Sequence, residues 1–344
     1  MHWLLYSMLD TSFSNILRSE PLSSYGTSEL NKSDQNGDTL AVAVIVGYYN
    51  GNKYLPEQVQ SILAQSHQNL EVFISDDGSK VAVDIDALDL MPEDRRRVRV
   101  AMRPARVGFT ANFLGALSSI DSYDYFAFSD QDDIWYSDKI TRALEILSEY
   151  PEGRPSLYCA RTAVYNEDCN IRLGVSPLFQ KPASFANALV QNIGGGNTMV
   201  FNRVARDLIV RSARGVEVVS HDWWSYQIVS GAGGIVYYDP EPCLRYRQHA
   251  CNLVGSNQGW AARLIRIQGL LKGRFQAWND VNIKALSECR DLLAPENQRC
   301  LDDFVLARQS GLFKRLVMCV RSGVYRQTWL GNLALWFGFV INKV

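Results

Sequence analysis

The chain has 344 residues, of which 47% are hydrophobic and 21% are charged, and this mixture can bury a sizeable globular core. The net charge of −1 excludes a protein that binds nucleic acid through an overall positive charge. The seven cysteines show no CxxC spacing, so neither a disulfide framework nor a zinc site is indicated, and a reduced cytosolic compartment fits best.

The chain is predicted to begin with a poorly ordered leader, residues 1–40. Residues 10–40 are rich in Ser, Asn, Asp, Thr and Gly and show little periodicity. The opening residues, MHWLLYSML, lack the basic segment of a secretory signal peptide.

Strands and helices are predicted to alternate from residue 41 onward. The continuous apolar run AVAVIVG at 41–47 predicts a strand that is buried on both faces. A helix follows in which Leu55, Val59 and Ile62 share one face. Further strands are predicted at 70–75, 98–102 and 125–128, with a helix near 110–120. This alternation predicts an α/β fold with a parallel sheet and helices on both of its faces.

Polar residues follow three of the predicted strands. In a parallel sheet the carboxyl ends of the strands lie at one edge, where ligands bind, so these residues are expected to converge there. They are Tyr48, Tyr49, Asn50 and Gly51 after the first strand, Asp76, Asp77, Gly78 and Ser79 after the second, and Ser129, Asp130, Gln131, Asp132 and Asp133 after the fourth.

The acidic residues Asp130, Asp132 and Asp133 predict a site for Mg²⁺ or Mn²⁺. Carboxylates this close together repel one another unless a cation compensates, and hard divalent cations bind carboxylate and phosphate oxygens together. A metal held there neutralises the charge that grows on a leaving diphosphate. The alternative is an Asp-rich turn before a helix that begins near Ser137.

The Asp76–Asp77 segment has two interpretations as well. Asp-Gly is a common turn sequence. A carboxylate at this edge can also accept a hydrogen bond from the imide N–H of uracil or thymine, with Tyr48 or Tyr49 stacking on the same base. Core packing is the alternative for either tyrosine.

Seven motifs follow one another along the chain: YYNGNKYLPEQVQSILAQS (48–66), ISDDGS (74–79), GFTANF (108–113), FSDQDDIW (128–135), GGGNTMVFNR (194–203), HDWW (221–224) and YRQH (246–249). Together they resemble family 2 glycosyltransferases, and most closely the bacterial rhamnosyltransferase-like members that build surface polysaccharides. The resemblance covers about residues 41–255. It implies a GT-A fold, in which a Rossmann-like, mainly parallel central sheet has flanking helices. It also implies inverting chemistry and a nucleoside-diphosphate sugar donor.

The resemblance assigns roles to individual positions. Asp130 and Asp132 match the DxD motif that holds donor and metal, with Asp132 as the direct metal ligand. The other matches are Tyr49, Asn50, Asp76 and Asp77 at nucleoside-binding positions, Arg247 and His249 in a late motif near the metal and diphosphate, and Gly195, Gly196 and Asn197, within 194–198, in the segment that lines the donor sugar and acceptor.

The sequence departs from the family pattern at two places. Tyr48-Tyr49 stands where Thr-Tyr or Ser-Tyr is more usual, which should affect packing more than chemistry. RPARVG at 103–108 stands where an Asn-Xaa-Gly pattern is commoner, and this leaves one donor contact open.

Asp222, in HDWW, matches the position of the catalytic base. An inverting transfer needs one base opposite the leaving group, to take the proton of the acceptor hydroxyl. It also needs charge stabilisation at the diphosphate, which the metal, Arg247 and His249 would supply. Asp222 is also placed where a carboxylate favours a helix N-terminus, and His249 is as readily a structural histidine. Trp223 is either a core residue or a platform for a sugar ring.

The last part of the chain, residues 256–344, is predicted to be a helical annex to a catalytic domain spanning 41–255. From residue 304 onward there are six Lys or Arg residues and no Asp or Glu, interleaved with apolar and aromatic side chains. We expect residues 304–344 to contact the cytoplasmic face of a membrane peripherally, where lipid-linked acceptors reside. The alternatives are a solvated helical face, helices that close a soluble core, or a dimer contact. The apolar run at 329–341 is too short to span the roughly 30 Å of a bilayer's hydrocarbon.

The sequence therefore predicts a cytoplasmic, metal-dependent glycosyltransferase that uses a dTDP- or UDP-sugar, with rhamnose the sugar of its nearest look-alikes. The acceptor is a glycan or a lipid-linked molecule. A nucleotidyltransferase is the rival enzyme class, although the Gly-rich basic loop usual after its first strand is replaced here by Tyr-Tyr-Asn-Gly. A non-catalytic nucleotide-sugar-binding module is the rival outside the enzymes, and the joint presence of Asp130, Asp132 and Asp222 argues against it.

Overall fold

The computed structural model describes residues 40–249 and 273–344. Residues 1–39 of the predicted leader lie outside the described residues, and so does the predicted boundary at 255/256.

One mixed sheet of nine strands forms the centre of the described residues. The strands are β1 (Val42–Tyr48), β2 (Leu70–Asp76), β3 (Val98–Met102), β4 (Tyr125–Ser129), β5 (Ile134–Trp135), β6 (Ser156–Tyr165), β7 (Arg172–Val175), β8 (Val200–Asn202) and β9 (Ile235–Arg247).

The sheet has a parallel part and a mixed part, in the order β3-β2-β1-β4-β8-β6-β9-β5 with β7 beside β6. The first four positions are parallel. These are the four strands predicted from apolar runs, and their bounds agree with the prediction to within one residue at each end. Beyond them β8 runs antiparallel to β4 and β6, whereas β9 runs parallel to β6. The predicted α/β fold of GT-A type is confirmed, with a sheet that is parallel on the side of the expected site.

Helices cover both faces of the sheet and continue past its last strand. They are α1 (Leu55–Leu63), α2 (Pro92–Arg95), α3 (Phe109–Ser118), α4 (Lys139–Ser148), α5 (Phe185–Ala188), α6 (Arg203–Ser212), α7 (His221–Gly231), α8 (Arg274–Glu288), α9 (Pro295–Gln309), α10 (Leu312–Ser322) and α11 (Trp329–Val340). Short 3₁₀ turns lie at Asp86–Leu88, Gly196–Thr198 and Arg290–Leu292.

Strand β1 contributes to two hydrophobic cores because its side chains alternate between the two faces of the sheet. Val42, Val44 and Val46 pack with the apolar faces of α1 and α4. Ala43 and Ile45 point to the other face and pack with α3 and α7. The strand is therefore fixed from both sides, which makes its carboxyl end a rigid support for the residues that follow it.

The C-terminal helices belong to the second of these cores. Leu286, Leu301, Phe304 and Phe339 are buried in the same cluster as the side chains of α3 and α7. The N–H of Ala294 also donates to the carbonyl oxygen of Gly231 at 2.9 Å, which joins the start of α9 to the end of α7. Within the described ranges, no helix combines the length and apolar character needed to cross a membrane.

Candidate active site

The predicted polar clusters lie together at the carboxyl edge of the parallel strands. Tyr48 is in register with Asp76 on β2, and Val46 is in register with Ser129 on β4. The residues that follow these positions therefore leave the sheet side by side. The site begins here, at the ends of β1, β2 and β4.

Asp76 and Asp77 are both buried, and each has a different set of partners. Oδ1 of Asp76 accepts the N–H of Ser79 at 2.9 Å, while Oδ2 is buried and has no hydrogen-bond partner among the described residues. The carboxylate of Asp77 accepts the N–H groups of Val107 and Gly108 at 2.8 and 3.0 Å. Burial raises the pKa of Asp77 above its ordinary value, although these two hydrogen bonds oppose the shift. An unpaired buried oxygen such as Oδ2 of Asp76 needs a donor from a ligand or from water.

Asn50 braces the loop after β1 against the loop after β2. Its N–H donates to Oγ of Ser79 at 2.9 Å, and its Oδ1 accepts the N–H of Lys80 at 3.0 Å. Its φ of 48° lies in the left-handed region, which Asn tolerates better than most residues. The side chain of Asn50 is thus directed at the neighbouring loop.

Arg106 lies on the ring of Tyr49, the tyrosine predicted to stack on a base. Its guanidinium carbon is 4.2 Å from the ring centroid, and its Nε is 3.9 Å from Oδ2 of Asp77. Arg103, in the same departing stretch of sequence, is buried instead and donates to Oδ1 of Asn112 at 2.9 Å. Sequence reasoning missed Arg106, although its place in the RPARVG departure was a signal.

The acidic cluster after β4 holds closely spaced carboxyl groups. Burial raises the pKa of Asp130 to about 7, and the negative charges of Asp132 and then Asp222 add to the shift. Asp133 is fully buried, and burial followed by the charges of Asp132 and Asp130 raises its pKa as well. Within residues 40–249 and 273–344, its Oδ1 is buried without a hydrogen-bond partner. Such a cluster is stabilised by added positive charge.

Asn197 and Lys139 support this cluster through hydrogen bonds that start at Asp133. The amide of Asn197 donates to Oδ2 of Asp133 at 2.6 Å, and the carbonyl oxygen of Asn197 accepts from Nζ of Lys139 at 2.6 Å. Lys139 is fully buried above the ring of Trp135, 3.1 Å from its centroid, and burial lowers its pKa to about 7. The predicted Asn197 thus faces Asp133, and Lys139 is a further residue that the sequence did not reveal.

His249 and Arg247 reach the cluster from the end of β9. Nε2 of His249 lies 2.8 Å from Oδ2 of Asp132, and Nε of Arg247 donates to the carbonyl oxygen of Asp132 at 2.8 Å. Both side chains lie against Tyr54, since the His249 ring stacks on it at 4.9 Å and the Arg247 guanidinium covers it at 4.6 Å. Arg247 also pairs with the carboxylate of Glu57. Tyr54 and Glu57 were missed, although they stand in the YLPEQ stretch that opens α1.

The donor set fits a divalent cation only in part. In residues 40–249 and 273–344, no group of three or more His, Cys, Asp or Glu side chains is arranged to hold a metal ion. The Asp132–His249 pair supplies two donors, and the excess of negative charge around Asp130 and Asp133 favours a cation. Magnesium and manganese sites commonly complete their coordination with substrate phosphate oxygens and water. The residues are therefore suited to a metal that arrives with a diphosphate.

Asp222 lies in the first turn of α7, on the side of the site near Asp130. Its Oδ2 accepts the side-chain N–H of Asn192 at 2.9 Å, and its Oδ1 accepts the N–H of Trp223 at 2.7 Å. Its negative charge contributes to the raised pKa of Asp130, which places the two carboxyl groups in the same electrostatic environment. Asn192 was not recognised from the sequence.

Trp223 is a core residue in the structure. It is 6% exposed, and its Nε1 donates to the carbonyl oxygen of Ala188 at 2.7 Å. Little of its ring surface is left for a sugar, so the structure favours the core interpretation over the platform.

The glycines of the 194–198 segment differ in their surroundings. A Cβ on Gly196 would lie 2.4 Å from Nε2 of the buried His221, so this close approach requires glycine. A Cβ on Gly195 would lie 2.7 Å from Oδ1 of Asn197. Gly195 is exposed at the surface of the segment, whereas Gly196 and Asn197 are buried.

Comparison with known proteins identifies relatives of this chain. Residues 43–207 match the sequence family described as Glycosyl transferase family 2. The dTDP-rhamnosyl transferase RfbG of Shigella flexneri is 27% identical over 252 residues, which are 66% of this chain and 79% of RfbG. An uncharacterized glycosyltransferase of Rickettsia felis is 35% identical over 108 residues, which are 31% of this chain. The match spans only 17% of that longer relative.

Two solved structures resemble the fold. One is Staphylococcus aureus TarS, residues 1–349, in complex with UDP-GlcNAc, at 16% identity and a TM-score of 0.48, covering 83% of this chain and 93% of the other. The second is the mannosyltransferase PcManGT of Pyrobaculum calidifontis in complex with GDP-Man and Mn²⁺, at 15% identity and a TM-score of 0.47. That match covers 99% of this chain and 94% of the other.

Proposed function

This chain belongs to Glycosyl transferase family 2, and from that premise we propose that it is an inverting, metal-dependent transferase of cell-surface polysaccharide biosynthesis. It moves a sugar, rhamnose in our proposal, from a nucleoside diphosphate to a glycan or lipid-linked acceptor. The observation that carries the proposal is the Asp132–His249 pair facing the same site as Asp222. The catalytic domain is proposed to span 41–255, with 256–344 as its helical annex.

The nucleoside is proposed to bind between the ends of β1 and β2. The unpaired Oδ2 of Asp76 and the carboxylate of Asp77 are the acceptors available to an imide N–H, which favours a dTDP- or UDP-sugar. Tyr49 offers its ring for stacking, and Arg106 beside it offers donors to the carbonyl oxygens of a pyrimidine. Asn50 contributes by holding the two loops in place.

The diphosphate is proposed to bind at the acidic cluster. Asp132 and His249 would hold Mg²⁺ or Mn²⁺, with Asp130 close enough to add charge or a ligand. A metal bound there would neutralise charge on the leaving diphosphate. Arg247 positions the carbonyl of Asp132 and adds a fixed positive charge next to it. Tyr54 holds the side chains of Arg247 and His249 from one side.

Asp222 is proposed as the base. As the acceptor oxygen bonds to the anomeric carbon, the bond from that carbon to the diphosphate oxygen breaks on the opposite face of the sugar. The acceptor hydroxyl gives its proton to the carboxylate of Asp222, and the electron pair of the broken bond leaves with the diphosphate. Gly196 lies against His221, the residue before Asp222, and Gly195 and Gly196 would border the acceptor, while Asn197 is held by its hydrogen bond to Asp133.

Residues 304–344 are proposed to contact an anionic membrane peripherally, on its cytoplasmic side. Phe313 on α10 is 84% exposed and Trp329 on α11 is 70% exposed, and more apolar side chains lie exposed on the same two helices. Lys314 and Arg321 are exposed on α10, and this segment carries no acidic residue. Apolar side chains with cationic neighbours suit an anionic lipid surface. The other large apolar residues exposed on α10 and α11 are Leu312, Val317, Val320, Leu330, Leu333, Trp336, Phe337 and Val340.

Vesicle binding tests the membrane contact. The full chain should sediment with vesicles of phosphatidylglycerol and phosphatidylcholine more than with phosphatidylcholine alone. The double variant Phe313→Ser/Trp329→Ser should lose this binding, and the control Val81→Ser/Met91→Ser, at exposed apolar residues of the catalytic domain, should keep it. Equal binding by both double variants would remove this part of the proposal.

A panel of sugar nucleotides tests the enzymatic proposal. The full chain is incubated with dTDP-, UDP- and GDP-sugars, Mn²⁺ and a lipid extract of bacterial envelopes, and the released nucleotide is identified. Release of a nucleoside diphosphate, strongest with dTDP-rhamnose, is the expected result, and Asp222→Asn should abolish it. Release of pyrophosphate would indicate a nucleotidyltransferase. Binding of a donor without any release would indicate a non-catalytic module.

A further inference from the structure

Among the described residues, one side chain from outside α7 holds the carboxylate of Asp222. Asn192 lies in the connection between α5 and the 3₁₀ turn at Gly196–Thr198, and its Nδ2 donates to Oδ2 of Asp222 at 2.9 Å. Within the described residues, the other carboxylate oxygen of Asp222 accepts one hydrogen bond, from the N–H of the adjacent Trp223. The rotation of the carboxylate about its own bond is thus set by Asn192.

The orientation of the Asn192 amide is itself fixed. Its Oδ1 accepts the N–H of Gly194 at 3.4 Å, so the NH₂ group is the end that meets the carboxylate. A flipped amide would place its oxygen against a carboxylate oxygen and would leave the N–H of Gly194 without this acceptor. The same side chain therefore connects Asp222 to the glycine segment that starts at residue 194.

The segment that leads into Asn192 is anchored at two places. The carbonyl oxygen of Ala188 accepts from Nε1 of Trp223 at 2.7 Å and from Nε2 of Gln227 at 3.2 Å, which joins the end of α5 to α7 in the core. Directly before Asn192, Oε1 of Gln191 accepts the N–H of Gln327 at 2.8 Å. Asn192 is therefore a rigidly supported donor at the edge of the site.

A neutral donor suits this position better than a charged one. Asp222 already shares its surroundings with Asp130, whose pKa its charge helps to raise. A lysine in place of Asn192 would form an ion pair and weaken the carboxylate as a proton acceptor, and a second carboxylate would repel it. An amide fixes the direction of the carboxylate while leaving its charge in place.

We propose that Asn192 is a positioning residue that aims the carboxylate of Asp222 at the acceptor hydroxyl and couples it to the glycine segment. This inference rests on the proposed role of Asp222 as the base. Asn192 touches neither the donor nucleoside site at Asp76 and Asp77 nor the Asp132–His249 pair, so its contribution belongs to the proton-transfer step. Precise aim of a reacting group is a large part of catalysis by orientation.

Substitution of Asn192 separates aim from binding. In the assay above, with the donor that the panel selects, Asn192→Ala should lower kcat by about 10- to 100-fold, the value of one hydrogen bond to a charged group. The KM for the donor and the melting temperature should stay close to the wild-type values. The nearly isosteric Asn192→Asp should lose at least as much, because it replaces the donor with a second negative charge. Asn170→Ala, at an exposed asparagine after β6, is the matched control and should be unaffected.

The outcomes distinguish this inference from the proposed function. A wild-type kcat in Asn192→Ala together with an inactive Asp222→Asn would overturn the positioning role alone. A loss that appears only in the donor KM would overturn it too. Should Asn192→Ala unfold, Asn192→Asp decides by the same measurements. Full turnover by Asp222→Asn, or no release by the wild type with any donor, would overturn the proposed function and this inference with it.

Discussion

His221 should make the stability of the protein depend on pH. Its ring is buried, stacks on Phe113 at 4.0 Å and meets the edge of Phe128 at 4.9 Å. In the part of the chain that the structure describes, neither ring nitrogen has a hydrogen-bond partner, and burial lowers the pKa of His221 to about 4. In the unfolded chain a histidine titrates near its ordinary value of about 6.5. Between these two pKa values the unfolded chain binds the proton and the folded chain does not. The contribution of His221 to the free energy of unfolding is therefore fully present above about pH 6.5 and is lost as the pH falls towards 4.

The size of this effect follows from the two pKa values. Between pH 8 and pH 5 the linkage removes about 2 kcal/mol from the free energy of unfolding. We expect urea denaturation to show that the free energy of unfolding of the wild type falls by about 2 kcal/mol more over this interval than that of His221→Leu. The leucine fills the same space with an apolar side chain that does not titrate. Comparing the two proteins cancels the carboxyl groups that also titrate in acid. An equal loss in both proteins would refute the assignment of this pH dependence to His221.

Substitutions at three further positions test the site and its support. Asp132→Ala should weaken Mn²⁺-dependent binding of the nucleoside diphosphate in calorimetry. If the wild type binds the nucleotide equally well with and without Mn²⁺ or Mg²⁺, the proposed metal dependence is refuted. Tyr54→Leu should weaken the same binding because it removes the surface under His249, while Tyr54→Phe should retain it. Gly196→Ala should lower the free energy of unfolding by about 1–3 kcal/mol, since the added Cβ would overlap the His221 ring, and an unchanged urea midpoint would show that the segment relaxes instead.

The parallel half of the sheet could be predicted because its signal is local. A strand buried on both faces must be a continuous apolar run, as at 41–47, and the residue type that follows it reveals the edge where ligands bind. Strands β5 and β8 have two and three residues, too short to leave such a pattern. Strand β9 carries charged and proline residues within its length, and only its end, in the YRQH motif, stands out in the sequence.

The supporting residues of the site could not be predicted for a different reason. Lys139 and Asn197 are 58 positions apart, and Asn192 and Asp222 are 30 apart. Their hydrogen bonds depend on where the sheet brings distant loops, and no spacing rule connects them. Family motifs could indicate Asp132 and His249 because both belong to recurring patterns. Arg106 shows the converse case, since its position departs from the pattern and its contact with Tyr49 appears only in three dimensions.

The joining of the C-terminal helices to the catalytic half bears on how deletions should be interpreted. Arg326 donates to the carbonyl oxygen of Val190 at 3.1 Å, and the N–H of Gln327 donates to Gln191, the residue next to Asn192. A protein cut at residue 300 would lose the exposed apolar helices α10 and α11. The same cut would remove the contacts of Arg326 and Gln327 with the segment that carries Asn192, the residue proposed to position Asp222. The truncated protein would then lose both vesicle binding and turnover, although neither loss causes the other. Surface substitutions such as Phe313→Ser leave the contacts of Arg326 and Gln327 intact. They can therefore show whether membrane binding and catalysis are separable in this enzyme.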